Sequence, residues 1–313
     1  MSKLKVSLLI LALSLVFFNI ASDYYRDDLY RLAIEFEASK ANLEPKQVLI
    51  NNKSYAYLEN SRENKLATII MLHGFSANKE NWLRFSAPLA GQYHLIALDL
   101  MGHGDSDIDM ERSYSIIDQT EFVKDFSKRL NIEKFHLVGN SMGGAISSLY
   151  AATHPNQVLS ITLISPAGIH DIPAKMDELL AQGINPLIAS NTEEFIDVMN
   201  FVMEDQPYIP GVITKVEAEK SVRRQAINQK IFSDIRNDLG KGLEQKFSNI
   251  KAPTLIIWGE DDRAINVKNI DRYAELIPGA EKLILEEIGH LAMLEAPSVS
   301  AQALLDFLAK PSS

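Results

Sequence analysis

The sequence contains no cysteine. That absence excludes disulfides, thiolate metal sites and a cysteine nucleophile, and it leaves the cellular compartment open. Basic blocks are equally scarce. Lys and Arg number 31 against 41 Asp and Glu, giving a net charge of −10, and basic residues cluster no further than isolated pairs such as Arg223-Arg224. A phosphate backbone would be repelled by this balance, so no nucleic-acid partner is expected. No repeat or low-complexity tract stands out. No apolar run reaches the roughly 20 residues that a comfortable membrane-spanning helix needs. What is present is ordinary globular material: 46% hydrophobic and 23% charged residues over a length of 313. That suits one large core, or one core with an insertion.

The amino terminus reads as a separate object. Lys3 and Lys5 precede an apolar run from Val6 to Ile20, interrupted only by Ser7, Ser14 and Asn19. Positive charge followed by about 7–15 apolar residues is the layout of a secretory signal. An A-x-A cleavage pattern is missing, and Tyr24, Tyr25 and Arg26 stand where interfacial aromatics would favour retention. Residues 1–22 are therefore a signal peptide or a signal anchor. In either case the lysines stay cytoplasmic and the remainder is exported: anchored in the inner membrane facing the periplasm, or periplasmic or secreted after cleavage. Residues 23–46 form the expected amphipathic lead-in helix. Leu29, Leu32, Ala33 and Phe36 share a face there, to pack on the domain or to lie on a membrane surface.

From about Gln47 the pattern becomes strand, turn and helix in alternation. Val48–Ile50 and Tyr55–Leu58 read as a hairpin. The runs Leu66–Leu72, Leu95–Leu98, Phe135–Val138, Ser160–Ile164, Pro253–Trp258 and Lys282–Leu285 are short and rich in Ile, Leu and Val. Continuous apolar strands separated by amphipathic helices predict an α/β fold, with a mostly parallel central sheet covered on both faces. The alternation breaks once. Between Pro166 and Phe247 the text is helical and polar, punctuated by Pro173, Pro186, Pro207, Pro210 and Gly211. A structureless loop of such length is implausible, so residues 166–247 are read as an inserted helical cap. Residues 47–165 and 248–313 are then the two parts of one core.

The chemistry concentrates at the ends of these strands. Gly139-Asn140-Ser141-Met142-Gly143 follows the run Phe135–Val138 and precedes a helix-like stretch, Gly144 to Ala152. A serine between two glycines on a strand-to-helix turn is the layout of a nucleophile elbow, although the five-residue pattern alone is weakly specific. A serine hydroxyl needs a base and a group to orient that base. His290 follows the last strand run and is the best base. His136 and His154 suit structural roles, and neither His94 nor His170 is well placed. The acid belongs to Glu260-Asp261-Asp262, after Trp258-Gly259. Asp262 is preferred because the loop has room to turn after Gly259. Asp99, before Gly102-His103-Gly104, is the rival acid but better suits shaping that turn. The backbone N–H groups of Met142 and Phe75 are the expected oxyanion donors, with His73 fixing the Phe75 loop.

With these residues in place, the chain resembles α/β-hydrolase-fold lipases and esterases. It is similar in particular to monoacylglycerol lipases that carry an amino-terminal membrane segment, and to exported lipases of cold-living bacteria. The matching stretches are Met71 to Lys79, Gly102-His103-Gly104, Gly139 to Gly144, Pro253 to Gly259, Gly289-His290, and the cap stretch from Asn185-Pro186-Leu187 to Phe201-Val202-Met203. The resemblance implies an α/β-hydrolase fold and Ser141 as nucleophile, Asp262 as acid, His290 as base, with Phe75 and Met142 as oxyanion donors. It favours Asp262 over Asp261. It also implies ester hydrolysis through an acyl-enzyme, with no metal and no cofactor.

Substrate choice is assigned to the cap, where Leu187, Phe195, Met199, Phe201 and Met203 are candidates to line an acyl groove. The plainer alternative is that such residues only pack the cap on the sheet. Export and an apolar cap favour a lipid-like ester such as a monoacylglycerol, met at a membrane surface through the amino-terminal segment. No feature specifies an oligomer. Two rivals stand beside this reading. The Gly-Asn-Ser-Met-Gly-Gly elbow also resembles carbon–carbon bond hydrolases of ring-cleavage diketones, against which the exported terminus counts. A non-catalytic binding module on the same scaffold would predict a missing triad member, and none is missing.

Overall fold

The computed structural model describes residues 24–239 and 242–310. The expected signal or anchor, residues 1–22, lies outside them. An eight-stranded sheet organises the molecule, with order β1-β2-β4-β3-β5-β6-β7-β8. Its strands are β1 (Glu44–Ile50), β2 (Lys53–Glu59), β3 (Thr68–Leu72), β4 (His94–Leu98), β5 (Phe135–Asn140), β6 (Val158–Ile164), β7 (Thr254–Gly259) and β8 (Glu281–Leu285). β1 and β2 pair antiparallel, as do β2 and β4, and every other pairing is parallel. The hairpin expected from the sequence is the β1–β2 pair, longer than its apolar part. It turns on Asn51 and Asn52, both at positive φ, as a primed turn requires and asparagine tolerates.

Two-sided burial explains the apolar strand runs. All of β3 is buried. Ile70 and Leu72 point into a core with Phe126, Leu149, Tyr150 and Phe247, while Ile69 and Met71 point into a second core with Trp82, Phe85, Met293 and Leu304. Each such side chain contributes about 1.5–3 kcal/mol by leaving water. β8 departs from the expectation of a strand buried on both faces. It lies at the sheet edge, alternates between half-buried and exposed, and leaves Ile284 exposed. Its charges, Glu281 paired to Lys310 and Lys282 to Asp271, discourage pairing with another chain at that edge.

The helices packed on the sheet are α2 (Leu83–Ser86), α3 (Ile116–Arg129), α4 (Met142–Thr153), α9 (Asn269–Leu276), α10 (Ala292–Glu295) and α11 (Pro297–Leu308). Between β6 and β7 the described chain forms no strand. It carries α5 (Lys175–Ala181), α6 (Thr192–Val202), α7 (Gly211–Arg223) and α8 (Gln225–Leu239). Asn191 caps α6 by accepting the Glu194 N–H, 2.9 Å. α8 packs on α3 and ties itself there through Asp234, which accepts the Tyr114 N–H at 3.0 Å.

The lead-in helix, α1 (Arg26–Ser39), is shorter than its expected span, since Glu44–Lys46 already belong to β1. It rides on α7 rather than on the sheet. Arg26 pairs with Glu219, the Tyr30 hydroxyl donates to Glu217, and Lys220 Nζ sits 3.9 Å from the Tyr30 ring centre. Its apolar positions Leu29, Leu32 and Phe36 face solvent, the last two 59% and 64% exposed. Among the described residues no helix is long and apolar enough to cross a membrane.

Candidate active site

Strand order reverses between β3 and β5: β4 lies to one side of β3, and β6 to the far side of β5. Loops leaving the carboxyl ends of such neighbours diverge and open a crevice, where ligands of open α/β sheets bind. The loop after β3 begins His73-Gly74-Phe75, and β5 ends at Asn140, immediately before Ser141.

Ser141 adopts φ 53°, ψ −116°, a left-handed conformation costly for a residue with a Cβ. Its neighbours make the turn possible. A Cβ on Gly143 would lie 2.1 Å from Leu72 O, and one on Gly139 would lie 2.2 Å from Gly143 O, so only glycine fits either place. The turn is held by Ser141 N–H donating to Ile164 O at 3.0 Å, and by Ser141 O accepting from Gly144, Ala145 and Ala167 N–H. Met142 then opens α4, with its N–H in the unpaired first turn where a helix dipole is positive.

The Phe75 loop comes close alongside. A Cβ on Gly74 would sit 3.2 Å from Ser141 Cβ, so the two loops are in contact. The loop is braced by His73, fully buried, whose Nδ1–H donates to Gly74 O at 2.7 Å while Nε2 accepts the Leu100 N–H at 3.1 Å. Burial pushes the His73 pKa down to about 4, so the ring is the neutral tautomer these bonds demand. The Phe75 ring packs against Phe232 of α8, 5.3 Å between centres. Asn228, also on α8, donates to Ser76 Oγ at 2.9 Å.

Asp262 and His290, chosen from separate loops, are joined: His290 Nδ1 lies 2.7 Å from Asp262 Oδ2, and both side chains are buried. Asp262 is saturated with donors. Oδ2 also accepts from Trp258 Nε1 at 2.9 Å, and Oδ1 from Ala264 and Ile265 N–H at 2.8 and 2.9 Å. A carboxylate so held accepts Nδ1–H and leaves Nε2 as the basic nitrogen of the ring. Asp261 is exposed instead, and its N–H ties the acid loop to Ile288 O at 2.9 Å. Asn140 Nδ2 donates to His290 O at 3.2 Å, linking the end of β5 to the histidine loop.

The other candidates have structural settings. Asp99 accepts from Lys79 N–H and Nζ and from Asp105 N–H, at 2.7–2.9 Å, and so shapes the turn after β4. His94 lies inside β4 rather than before it, bonded to Thr68 and Glu59. His136 bonds Ser160 Oγ at 2.7 Å, and burial lowers its pKa to about 4. In the insertion, Leu187, Phe195 and Met199 are partly buried, Phe201 packs on the first core, and Met203 is fully buried beside Gly289. Asn140, Asn228, Arg263 and Glu295 were missed from sequence. Only Glu295 carried a signal, a lone carboxylate in the apolar run Leu291 to Ala296. Among the described residues no group of three or more His, Asp or Glu is arranged to hold a metal ion.

The model of the α/β-hydrolase fold family matches residues 67–196 and 217–297. Lipase 1 of Psychrobacter immobilis is 33% identical over 267 residues, covering 84% of this chain and 83% of that protein. The monoacylglycerol lipase ABHD6 of Mus musculus is 32% identical over 266 residues, covering 82% and 79%. Among solved structures, a membrane phospholipase A described as a bacterial virulence factor is 38% identical, with a TM-score of 0.88 and coverage of 97% and 98%. The chain belongs to the α/β-hydrolase family and is a serine hydrolase.

Proposed function

We propose that the protein hydrolyses the carboxylic ester of a lipid, an acylglycerol bearing one or few acyl chains, through an acyl-enzyme on Ser141. The observation that carries this reading is the Asp262–His290 hydrogen bond at the sheet edge where Ser141 occupies its strained turn. His290 Nε2 takes the Ser141 proton as Oγ bonds to the ester carbonyl carbon. The Phe75 and Met142 N–H groups stabilise the oxyanion. The alcohol departs with the proton from His290 as the carbonyl re-forms. Water, deprotonated by the same imidazole, then cleaves the acyl-enzyme and releases the fatty acid. Asp262 fixes the tautomer and stabilises the imidazolium.

In this reading the insertion, residues 166–247, is a cap that selects the acyl chain, with Leu187, Phe195, Met199, Phe201 and Met203 lining its path. The exposed Leu29, Leu32 and Phe36 on α1, with Tyr24 and Tyr25 just before them, support contact with a membrane surface next to the exported amino terminus. The 38% identical membrane phospholipase A favours a second substrate reading, the acyl ester of a phospholipid.

A nitrophenyl-ester series from acetate to palmitate, run beside a monoacylglycerol, a phospholipid and a ring-cleavage diketone, tests the assignment. Turnover rising with chain length and release of fatty acid from monoacylglycerol is expected. Preferential release from phospholipid selects the second substrate. Diketone cleavage without ester turnover would replace the lipase reading by carbon–carbon hydrolysis.

A further inference from the structure

Glu295 is buried, yet it is no member of the proposed triad. Its carboxylate accepts four backbone N–H groups. Oε2 takes those of Gly289 at 2.9 Å, Glu204 at 2.7 Å and Asp205 at 3.0 Å, and Oε1 takes that of Leu291 at 3.0 Å. Two of these donors flank His290. The other two belong to the chain leaving α6, about 90 positions earlier in sequence. Burial pushes the Glu295 carboxyl pKa upward, while the four N–H groups oppose that shift. Oxygens that only accept are those of the ionised form.

The same seam is stitched at other points. His290 N–H donates to Val202 O at 2.8 Å. Gly289 has no room for a side chain, since a Cβ would lie 2.8 Å from Glu204 N and 3.0 Å from the Met203 backbone. From the acid loop, Arg263 donates to Asn200 O and Met203 O at 3.1 and 3.3 Å and pairs with Glu204. The exit of α6 is thus the place where the insertion meets both the Asp262 loop and the His290 loop.

We propose that Glu295 is a positioning residue for the base: by binding the peptides on either side of His290 and the exit of α6 to one carboxylate, it makes the seat of the insertion set the orientation of the imidazole. The proposal rests on His290 acting as the base. The backbone of His290 is gripped at its own N–H by Val202, at its carbonyl by Asn140, and at both neighbours by Glu295. The ring follows that backbone, and a misplacement of about 1 Å in such a group costs on the order of 100-fold in rate.

The test uses the full chain, nitrophenyl acetate as a substrate too small to need the acyl path, and the low-field proton resonance of the His290–Asp262 hydrogen bond. Glu295→Ala should lower kcat about 100-fold with KM nearly unchanged and weaken or shift the resonance. Glu295→Gln keeps one acceptor oxygen, so it should retain more activity and fall about tenfold. Asp205→Pro deletes one donor from an exposed position, avoids the core, and should lower kcat severalfold. Wild-type kcat and resonance in Glu295→Gln and Asp205→Pro, whatever the change in melting temperature, would overturn the proposal and leave Glu295 a purely structural residue. His290→Ala separates the two claims. If it retains activity, the base assignment itself is wrong; if it is inactive while the Glu295 variants are not, only the positioning role fails.

Discussion

The helix behind Ser141 and the first two helices of the insertion, α5 and α6, are built by opposite rules. Every residue of α4 from Met142 to Ala151 is buried, small or apolar, and packed against β5 and β6. In contrast, α5 buries no residue and α6 buries only Val202. The first arrangement leaves the elbow no freedom: even a Cβ at Gly143 would fall 2.1 Å from Leu72 O. The second leaves a half-buried apolar surface whose side chains are replaceable. In the proposed reading rate belongs to the rigid region and substrate choice to the adaptable one; the insertion meets the core at the exit of α6, where α8 meets Phe75, Ser76 and α3, and where Arg224 binds the carbonyls of Gly102 and Gly104.

Substitutions that break this contrast should differ widely in effect. Asp262→Asn should lower kcat about 10⁴-fold with little loss of fold, because an amide in place of Oδ2 reverses the tautomer of His290; ester kinetics and a melting curve on the same sample check it. Gly143→Ala should destabilise the protein by about 2–4 kcal/mol, since its Cβ meets the β3 backbone rather than a movable side chain. Urea denaturation reads that loss. Phe195→Ala should spare acetate turnover and lower kcat/KM for long-chain esters about tenfold, the scale of a lost apolar contact in a pocket. Equal losses on short and long esters would move Phe195 out of the acyl path.

The smallest effect concerns acid stability. His136 has its pKa lowered to about 4 in the native state, against about 6.5 when unfolded. The unfolded chain binds the extra proton first, so this stabilisation is complete above pH 6.5 and is lost as pH falls from 6.5 toward 4. His136→Gln should therefore flatten the fall of melting temperature across that window relative to wild type. An identical slope in both proteins would contradict the lowered value.

Legibility in the sequence follows the same division. Strands covered on both faces are continuous apolar runs and are readable to within a few residues; β8 is also where the run Lys282–Leu285 places it, but as an edge strand it keeps one face in water. Ser141, Asp262 and His290 stand out as candidates because the chemistry demands particular side chains at strand ends, and two of them, Asp262 and His290, are joined by a hydrogen bond. Glu295 and Asn140 do not stand out, because they bind backbone groups, N–H groups for Glu295 and the carbonyls of Ile164 and His290 for Asn140, and a peptide group leaves no mark on residue identity. On α1 the shared face of Leu29, Leu32 and Phe36 was legible, but its partner was not. The helix is held instead through Arg26 and Tyr30, which meet Glu219 and Glu217 only after the insertion has folded back.

The strained turn is proposed to present Ser141 as the nucleophile. Fluorophosphonate labelling of wild type and Ser141→Ala, with the adduct located by peptide mass spectrometry, tests it most directly. One adduct is expected, on Ser141, with none in the variant. Equal labelling of both proteins, or an adduct on any other residue, would contradict it.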